Sequence, residues 1–123
     1  MPLRLLALTA CVLALSGCAS DKEPKRFTSP RDLAGALSCE YRPFTSVLGP
    51  GTEQGACQYA GADLSLTVTS RASMSRILAE RLASQPLGKG VAILVGNGWL
   101  IVSRDQGAIR KAQDLVGGAI ESP

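Results

Sequence analysis

In this 123-residue sequence the side chains best suited to covalent chemistry are the thiols of four cysteines: Cys11, Cys18, Cys39 and Cys57. The sequence contains no histidine, which is the commonest general base and the commonest metal ligand in proteins. A serine–lysine pair could still supply a nucleophile and its base, but the spacing Ser-x-x-Lys does not occur. The residues available for nucleophilic catalysis or metal binding are therefore few.

Six acidic residues are the remaining candidates for acid–base chemistry: Glu40, Glu53, Asp63, Glu80, Asp105 and Asp114. Glycoside hydrolases use a pair of carboxylates, but none of these six lies in a recognisable motif, and acidic side chains are mostly solvated. We therefore expect no catalytic residues, no metal site and no cofactor. An enzyme that acts on cell-wall or lipid substrates is the alternative that the sequence leaves open, and a metal-handling protein is a further one.

The first 17 residues have the pattern of a secretory signal peptide. Arg4 supplies a positive charge, and an apolar run of eleven residues follows from Leu5 to Leu15. As a helix this run spans roughly 16 Å, which is too short for a hydrocarbon core of about 30 Å. A short apolar segment that ends in small residues is typical of a cleaved leader and not of a transmembrane helix.

Cys18 closes a tetrapeptide, Leu15-Ser16-Gly17-Cys18, that resembles the lipobox of bacterial lipoprotein precursors. The resemblance implies that a diacylglyceryl group is attached to the Cys18 thiol and that the chain is cleaved before it. Two or three acyl chains, palmitate among them, would then anchor the protein stably to the extracytoplasmic face of a cell membrane. Ala19 would favour the outer membrane or the surface if the source has two membranes. The alternative is an ordinary leader with an incidental cysteine.

Cys39 and Cys57 remain once Cys11 is removed with the leader and Cys18 is lipidated. Thiols of an exported domain meet an oxidising environment, so we expect these two to form a disulfide. The bond would close a loop of about 18 residues and stabilise the domain by roughly 3 kcal/mol. A metal pair and a redox dithiol are the alternatives, and neither is favoured because the chain lacks both histidine and a Cys-x-x-Cys motif.

The segment 18–28 is predicted to be the lipidated cysteine followed by a disordered tether, because residues 19–28 are polar with one proline. The formal net charge of the whole chain is +3, and its basic residues are spread along the sequence. Nucleic-acid binding calls for a basic patch with stacking aromatic side chains. We therefore expect no nucleic-acid partner.

Residues 29–120 are predicted to form one small domain that contains three helices. The first begins at Ser29-Pro30, where serine can cap and proline suits the first helical position, and ends near Ser38. The second runs to about Gln85. Its apolar face is predicted from four residues at helical spacing: Met74, Ile77, Leu78 and Leu82. The third is capped by Ser103 or Asp105, carries Ile109, Ala112, Leu115 and Val116 on one face, and stops at Gly117-Gly118.

The strand pattern predicts an α+β fold, with a four-stranded, mainly antiparallel sheet, helices on one face and the order α-β-β-α-β-β-α. Cys39–Phe44 and Gly55–Thr69 provide the first two strands, with a break or bulge at Gly61–Asp63. Val91–Val95 is apolar throughout, as in a strand buried on both faces. Asn97-Gly98 predicts a type I′ turn between this strand and the next.

The last 30 or so residues contain two motifs, Gly-Asn-Gly-Trp-Leu-Ile-Val and Ala-Gln-Asp-Leu-Val-Gly-Gly. In this respect the chain resembles small actinobacterial lipoproteins of unknown function, so the resemblance implies no activity. Trp99 is interpreted as core or sheet-edge packing rather than as a ligand platform. The sequence therefore predicts a membrane-anchored, non-catalytic binding or interaction domain of the cell envelope, whose protein or small-ligand partner the sequence does not identify.

Overall fold

The computed structural model describes residues 23–45, 51–84 and 90–121, so Cys18 and the predicted signal peptide lie outside the described residues. The helices are α1 (Pro30–Leu37), α2 (Ala72–Ser84) and α3 (Gln106–Val116). The strands are β1 (Arg42–Phe44), β2 (Thr52–Tyr59), β3 (Ala62–Thr69), β4 (Ala92–Val95), β5 (Trp99–Ser103) and β6 (Ala119–Glu121).

The six strands form one sheet in the order β1-β2-β3-β5-β4-β6, and each neighbouring pair is antiparallel. The α+β class and the antiparallel sheet are confirmed, but the prediction of four strands is wrong. The predicted break near Gly61 is in fact a two-residue turn between two separate strands. Both turn residues, Ala60 and Gly61, have positive φ, at 53° and 80°, which is the geometry that reverses a twisted hairpin.

The sixth strand also changes the predicted order. No strand is predicted after Gly117-Gly118, but Ala119 and Glu121 pair with Val95 and Ile93 at the edge of the sheet. The order in the described part of the chain is therefore α-β-β-β-α-β-β-α-β. The motif Gly117-Gly118 ends α3 as predicted and then directs the chain back along β4.

Helices cover both faces of the sheet, and the prediction of helices on one face is wrong. Alternate residues of a strand point to opposite faces of the sheet, and here the two sets of side chains belong to two separate hydrophobic clusters. Leu94 and Ile101 pack with α1 and α3, whereas Ile93 and Leu100 pack with α2. This arrangement explains why β4 is buried at every position, as its continuous apolar sequence predicted.

The helix starts agree with their sequence signals. The Ser29 hydroxyl accepts a hydrogen bond from the Asp32 backbone N–H at 3.2 Å, and the Asp105 carboxylate accepts one from the Ala108 N–H at 3.0 Å. Such caps satisfy backbone donors that the helix leaves unpaired.

The predicted helix faces need correction at two residues. Ile77 and Leu115 are 45% and 44% exposed. Ser75 and Ala79 are the buried residues of α2, and these small side chains allow the helix to lie close to the sheet.

The β4–β5 hairpin is confirmed, but its turn is not of type I′. That turn needs positive φ at both central residues, and Gly98 has it at 84° whereas Asn97 does not. Asn97 instead makes a parallel β-bridge with Arg26, which requires extended backbone at that position.

In the described ranges no helix is long and apolar enough to cross a membrane.

Candidate functional site

The segment Glu23–Phe27, called the strap from here on, lies against the folded domain. The Lys25 N–H donates to the Val116 carbonyl at 3.0 Å, and the Lys25 carbonyl accepts from Trp99 Nε1 at 2.7 Å. Arg26 adds the bridge to Asn97. The prediction of a disordered tether through residue 28 therefore does not describe the strap, because its backbone groups have partners on α3 and β5.

Trp99 is the centre of this site. Its side chain is fully buried, and the Phe27 ring meets it edge to face, with the ring centroids 5.8 Å apart and the planes at 70°. A buried indole N–H needs an acceptor, and within this site the strap carbonyl of Lys25 provides it. The interpretation of Trp99 as core packing is confirmed, but much of its cover comes from a segment that is 74 residues earlier in the chain.

Glycines make room for the indole and the strap. A Cβ on Gly96 would overlap the Trp99 ring, and a Cβ on Gly118 would lie 2.7 Å from the Val95 carbonyl oxygen. A Cβ on Gly117 would lie 2.5 Å from the Glu23 carbonyl oxygen, and Gly117 also has a φ of 78°. Gly96, Gly117 and Gly118 are therefore required by contacts with Trp99, the strap and β4 respectively.

The β4–β5 turn is held from the other face of the sheet by polar side chains. The Ser75 hydroxyl, which is buried in the first turns of α2, donates to the Gly96 carbonyl at 2.8 Å and accepts from the Gly98 N–H at 3.2 Å. The Thr69 backbone N–H donates to the Gly98 carbonyl at 2.7 Å. The turn therefore connects the strap on one side to α2 on the other.

An open groove of about 580 Å³ lies beside the strap, between α2 and the β4–β6 edge. Its lining includes charges of both signs, from Glu23, Arg76 and Glu121, together with Ser73 and Asn97. This mixed lining does not select one ligand class.

The disulfide lies at the opposite end of the sheet from the strap. Cys39 and Cys57 are bonded, with their Cα atoms 5.8 Å apart, and they connect the segment after α1 to β2. Cys57 is fully buried. The predicted disulfide is confirmed, and it holds α1 against the edge half of the sheet.

Asp105 and Asp63, among the candidate carboxylates, take part in hydrogen bonds that hold the fold. Asp105 caps α3 and Asp63 accepts a hydrogen bond from Gln58 Nε2 at 3.1 Å. Over residues 23–45, 51–84 and 90–121, no group of three Cys, Asp or Glu side chains is placed to hold a metal ion.

Glu53 acts on a neighbouring tyrosine. Burial raises the pKa of Tyr41, the Glu53 carboxylate raises it further, and Arg31 opposes the shift. The Arg31 guanidinium lies over the Tyr41 ring at 5.1 Å from its centroid, and the Tyr41 hydroxyl donates to the Gln54 carbonyl at 3.2 Å. These contacts fix the edge of the sheet rather than prepare a group for catalysis.

The strap is the functional feature that sequence reasoning missed. Its signals were Pro24, which restricts the backbone, and Phe27, an aromatic residue at the end of a polar stretch. Neither signal identifies Trp99 as the partner, because the contact is long-range.

No family model, no curated protein and no solved structure matches this chain.

Proposed function

We propose that this protein is a lipid-anchored domain on the extracytoplasmic face of a cell membrane, where it binds a partner rather than catalyses a reaction. The lipid is carried by Cys18, and the folded domain begins at the strap. The binding partner is a protein or a small ligand of the cell envelope.

The observation that carries the proposal is the Cys39–Cys57 disulfide. Disulfides persist in oxidising compartments and are rare in the reducing cytosol. A buried cystine in a domain this small supports export, and export is what the leader and the lipobox at residues 15–18 require. The disulfide therefore supports the interpretation of Cys18 from a separate part of the chain.

Binding is favoured over catalysis by the uses that the described polar side chains already have. Asp105 caps a helix, Ser75 fixes the β4–β5 turn, and Tyr41 bonds to the backbone of β2. A general base or nucleophile needs a free side chain within hydrogen-bond reach of a substrate position. These residues are engaged in holding the fold.

Metabolic labelling with palmitate tests the anchor. Cys18→Ser should abolish labelling, because a serine hydroxyl is a far weaker nucleophile than a thiolate. Cys11→Ser is the matched control, since it changes the other cysteine of the leader region and should leave labelling intact. Labelling that persists in Cys18→Ser would refute the proposal.

Chemical crosslinking on intact cells, followed by recovery of the labelled protein, tests the binding role. We expect a discrete crosslinked species that depends on Cys18 being intact. A purified domain that turns over cell-wall or lipid substrates would contradict the assignment as a binding domain.

A further inference from the structure

We propose that the end of the domain that carries the strap rests at the lipid surface and that the Cys39–Cys57 end points away from it. This inference rests on the lipid anchor proposed for Cys18. It adds an orientation, and with it the surface that is left accessible to a partner. The lipid surface is therefore what contacts the strap end of the domain.

The length of chain between the anchor and the strap sets the first limit. Lys25 lies seven positions after Cys18, and its N–H and carbonyl are both hydrogen-bonded to the domain. Seven residues span at most about 25 Å when fully extended, and about 15 Å on average as a flexible chain. The point where Lys25 is attached therefore lies close to the headgroups.

The strand register shows how far the other end lies from that point. Trp99 pairs with Val68, and Tyr59 pairs with Ala62, at the two ends of β3. Six residues along a strand correspond to about 20 Å. To bring the Tyr59 end to the bilayer, the tether would have to run nearly extended along the whole domain. An extended tether loses chain entropy, whereas the orientation with the strap at the bilayer does not require this loss.

Two of the three large apolar side chains that are exposed in the described residues lie at the level of the strap. They are Phe44 and Leu115, 45% and 44% exposed, and the third is Ile77 on α2. Leu115 precedes Val116, which accepts the hydrogen bond from Lys25. Phe44 pairs with Gln54, and Gln54 pairs with Thr67, one residue before Val68. These two side chains flank the strap level of the sheet, where contact with an interfacial region would cover them.

Charge does not set the orientation. The exposed charged residues at the strap end nearly balance: Lys25, Arg26, Arg31, Arg71 and Arg76 against Glu23, Asp32, Glu53 and Asp114. Attraction to anionic lipids grows with the number of unpaired basic residues near the surface. We therefore expect the same orientation in anionic and in zwitterionic vesicles.

Energy transfer from tryptophan to a dansyl-labelled lipid measures the orientation, because Trp99 is the only tryptophan of the chain. The lipidated full-length protein is incorporated into phosphatidylcholine vesicles that contain dansyl-phosphatidylethanolamine, and its flotation with the vesicles is checked first. The double variant Trp99→Phe/Tyr59→Trp moves the donor to the far end of the sheet. Transfer from Trp99 should exceed transfer from the moved donor severalfold.

A second variant leaves every packed residue unchanged. Inserting twenty Gly/Ser residues between Ser20 and Asp21 raises the average tether length from about 15 to about 29 Å, so transfer from Trp99 should fall at least threefold. Equal transfer from the two donor positions, or transfer that does not change on insertion, overturns the orientation while flotation upholds the anchor. A protein that does not float overturns both.

Discussion

Replacing Phe27 by alanine removes the aromatic contact that holds the strap on Trp99. A fully buried phenylalanine costs about 3–5 kcal/mol when truncated to alanine, and Phe27 is only partly buried. About half of that cost, together with an edge-to-face pair worth about 0.5–1.5 kcal/mol, gives an expected loss of about 3 kcal/mol. For a domain of about 100 residues this lowers Tm by roughly 12–24 °C.

The matched control is Phe44→Ala, because Phe27 and Phe44 are the two phenylalanines of the chain and Phe44 lies exposed on β1. Its expected effect is within about 0.5 kcal/mol. Urea unfolding is followed by far-UV circular dichroism and by Trp99 emission. Emission of the folded Phe27→Ala protein should shift to the red, because water reaches the indole once the strap is released. Equal midpoints for the two variants, or unchanged emission in Phe27→Ala, would show that the strap does not cover Trp99.

Three further predictions concern the cystine, a strap glycine and a tyrosine. Replacing both Cys39 and Cys57 by alanine should lower the free energy of unfolding by roughly 3 kcal/mol, from the loop of 18 residues that the bond closes; a loss below about 1 kcal/mol in urea titration would contradict this. Gly117→Ala should lower the free energy of unfolding by more than Gly61→Ala does. Both glycines have φ near 80°, but a Cβ on Gly117 would meet the strap, whereas nothing lies within 4 Å of a Cβ on Gly61. Equal losses of stability would show that the strap contact is not the cause. The raised pKa of Tyr41 favours the neutral phenol in the folded state, so this contribution to stability is present below about pH 10 and is lost as the pH rises through the folded pKa. Stability should therefore fall less steeply above about pH 9 in Tyr41→Phe than in the unchanged protein, and parallel pH profiles would refute the shift.

Local signals in the sequence were sufficient for the helix starts and for the central hairpin. Ser29 caps α1 as predicted, and Asp105, one of the two caps predicted for α3, is the residue that caps it, because a cap depends on residues within one turn. The continuous apolar run at Val91–Val95 also indicated burial on both faces. Burial on both faces is already incompatible with helices on one face only, since the apolar side chains of the second face also need an element packed against them.

The strand count failed where the local signal was weak. Ala60 adopts positive φ in the β2–β3 turn, although alanine is disfavoured in that conformation, so this turn has no sequence signal of the Asn-Gly kind. The three residues of β6 are too few for any periodicity. Their strand conformation is set by pairing with β4, which is a tertiary contact.

The contacts of the C-terminal motifs with the strap connect the two parts of the chain that the sequence could interpret only separately. Gly96, Trp99 and Gly117 each have a partner or a steric limit at the strap or the indole it covers. The contacts of the strap with the domain begin at Glu23, whereas the predicted tether reached residue 28. A domain with a long tether can turn freely over a bilayer, but one held within about 25 Å of its anchor at a single end cannot. The glycines and Trp99 of the C-terminal motifs therefore hold the strap in place, and with the anchor proposed for Cys18 these same contacts would keep the disulfide-bonded end turned away from the bilayer.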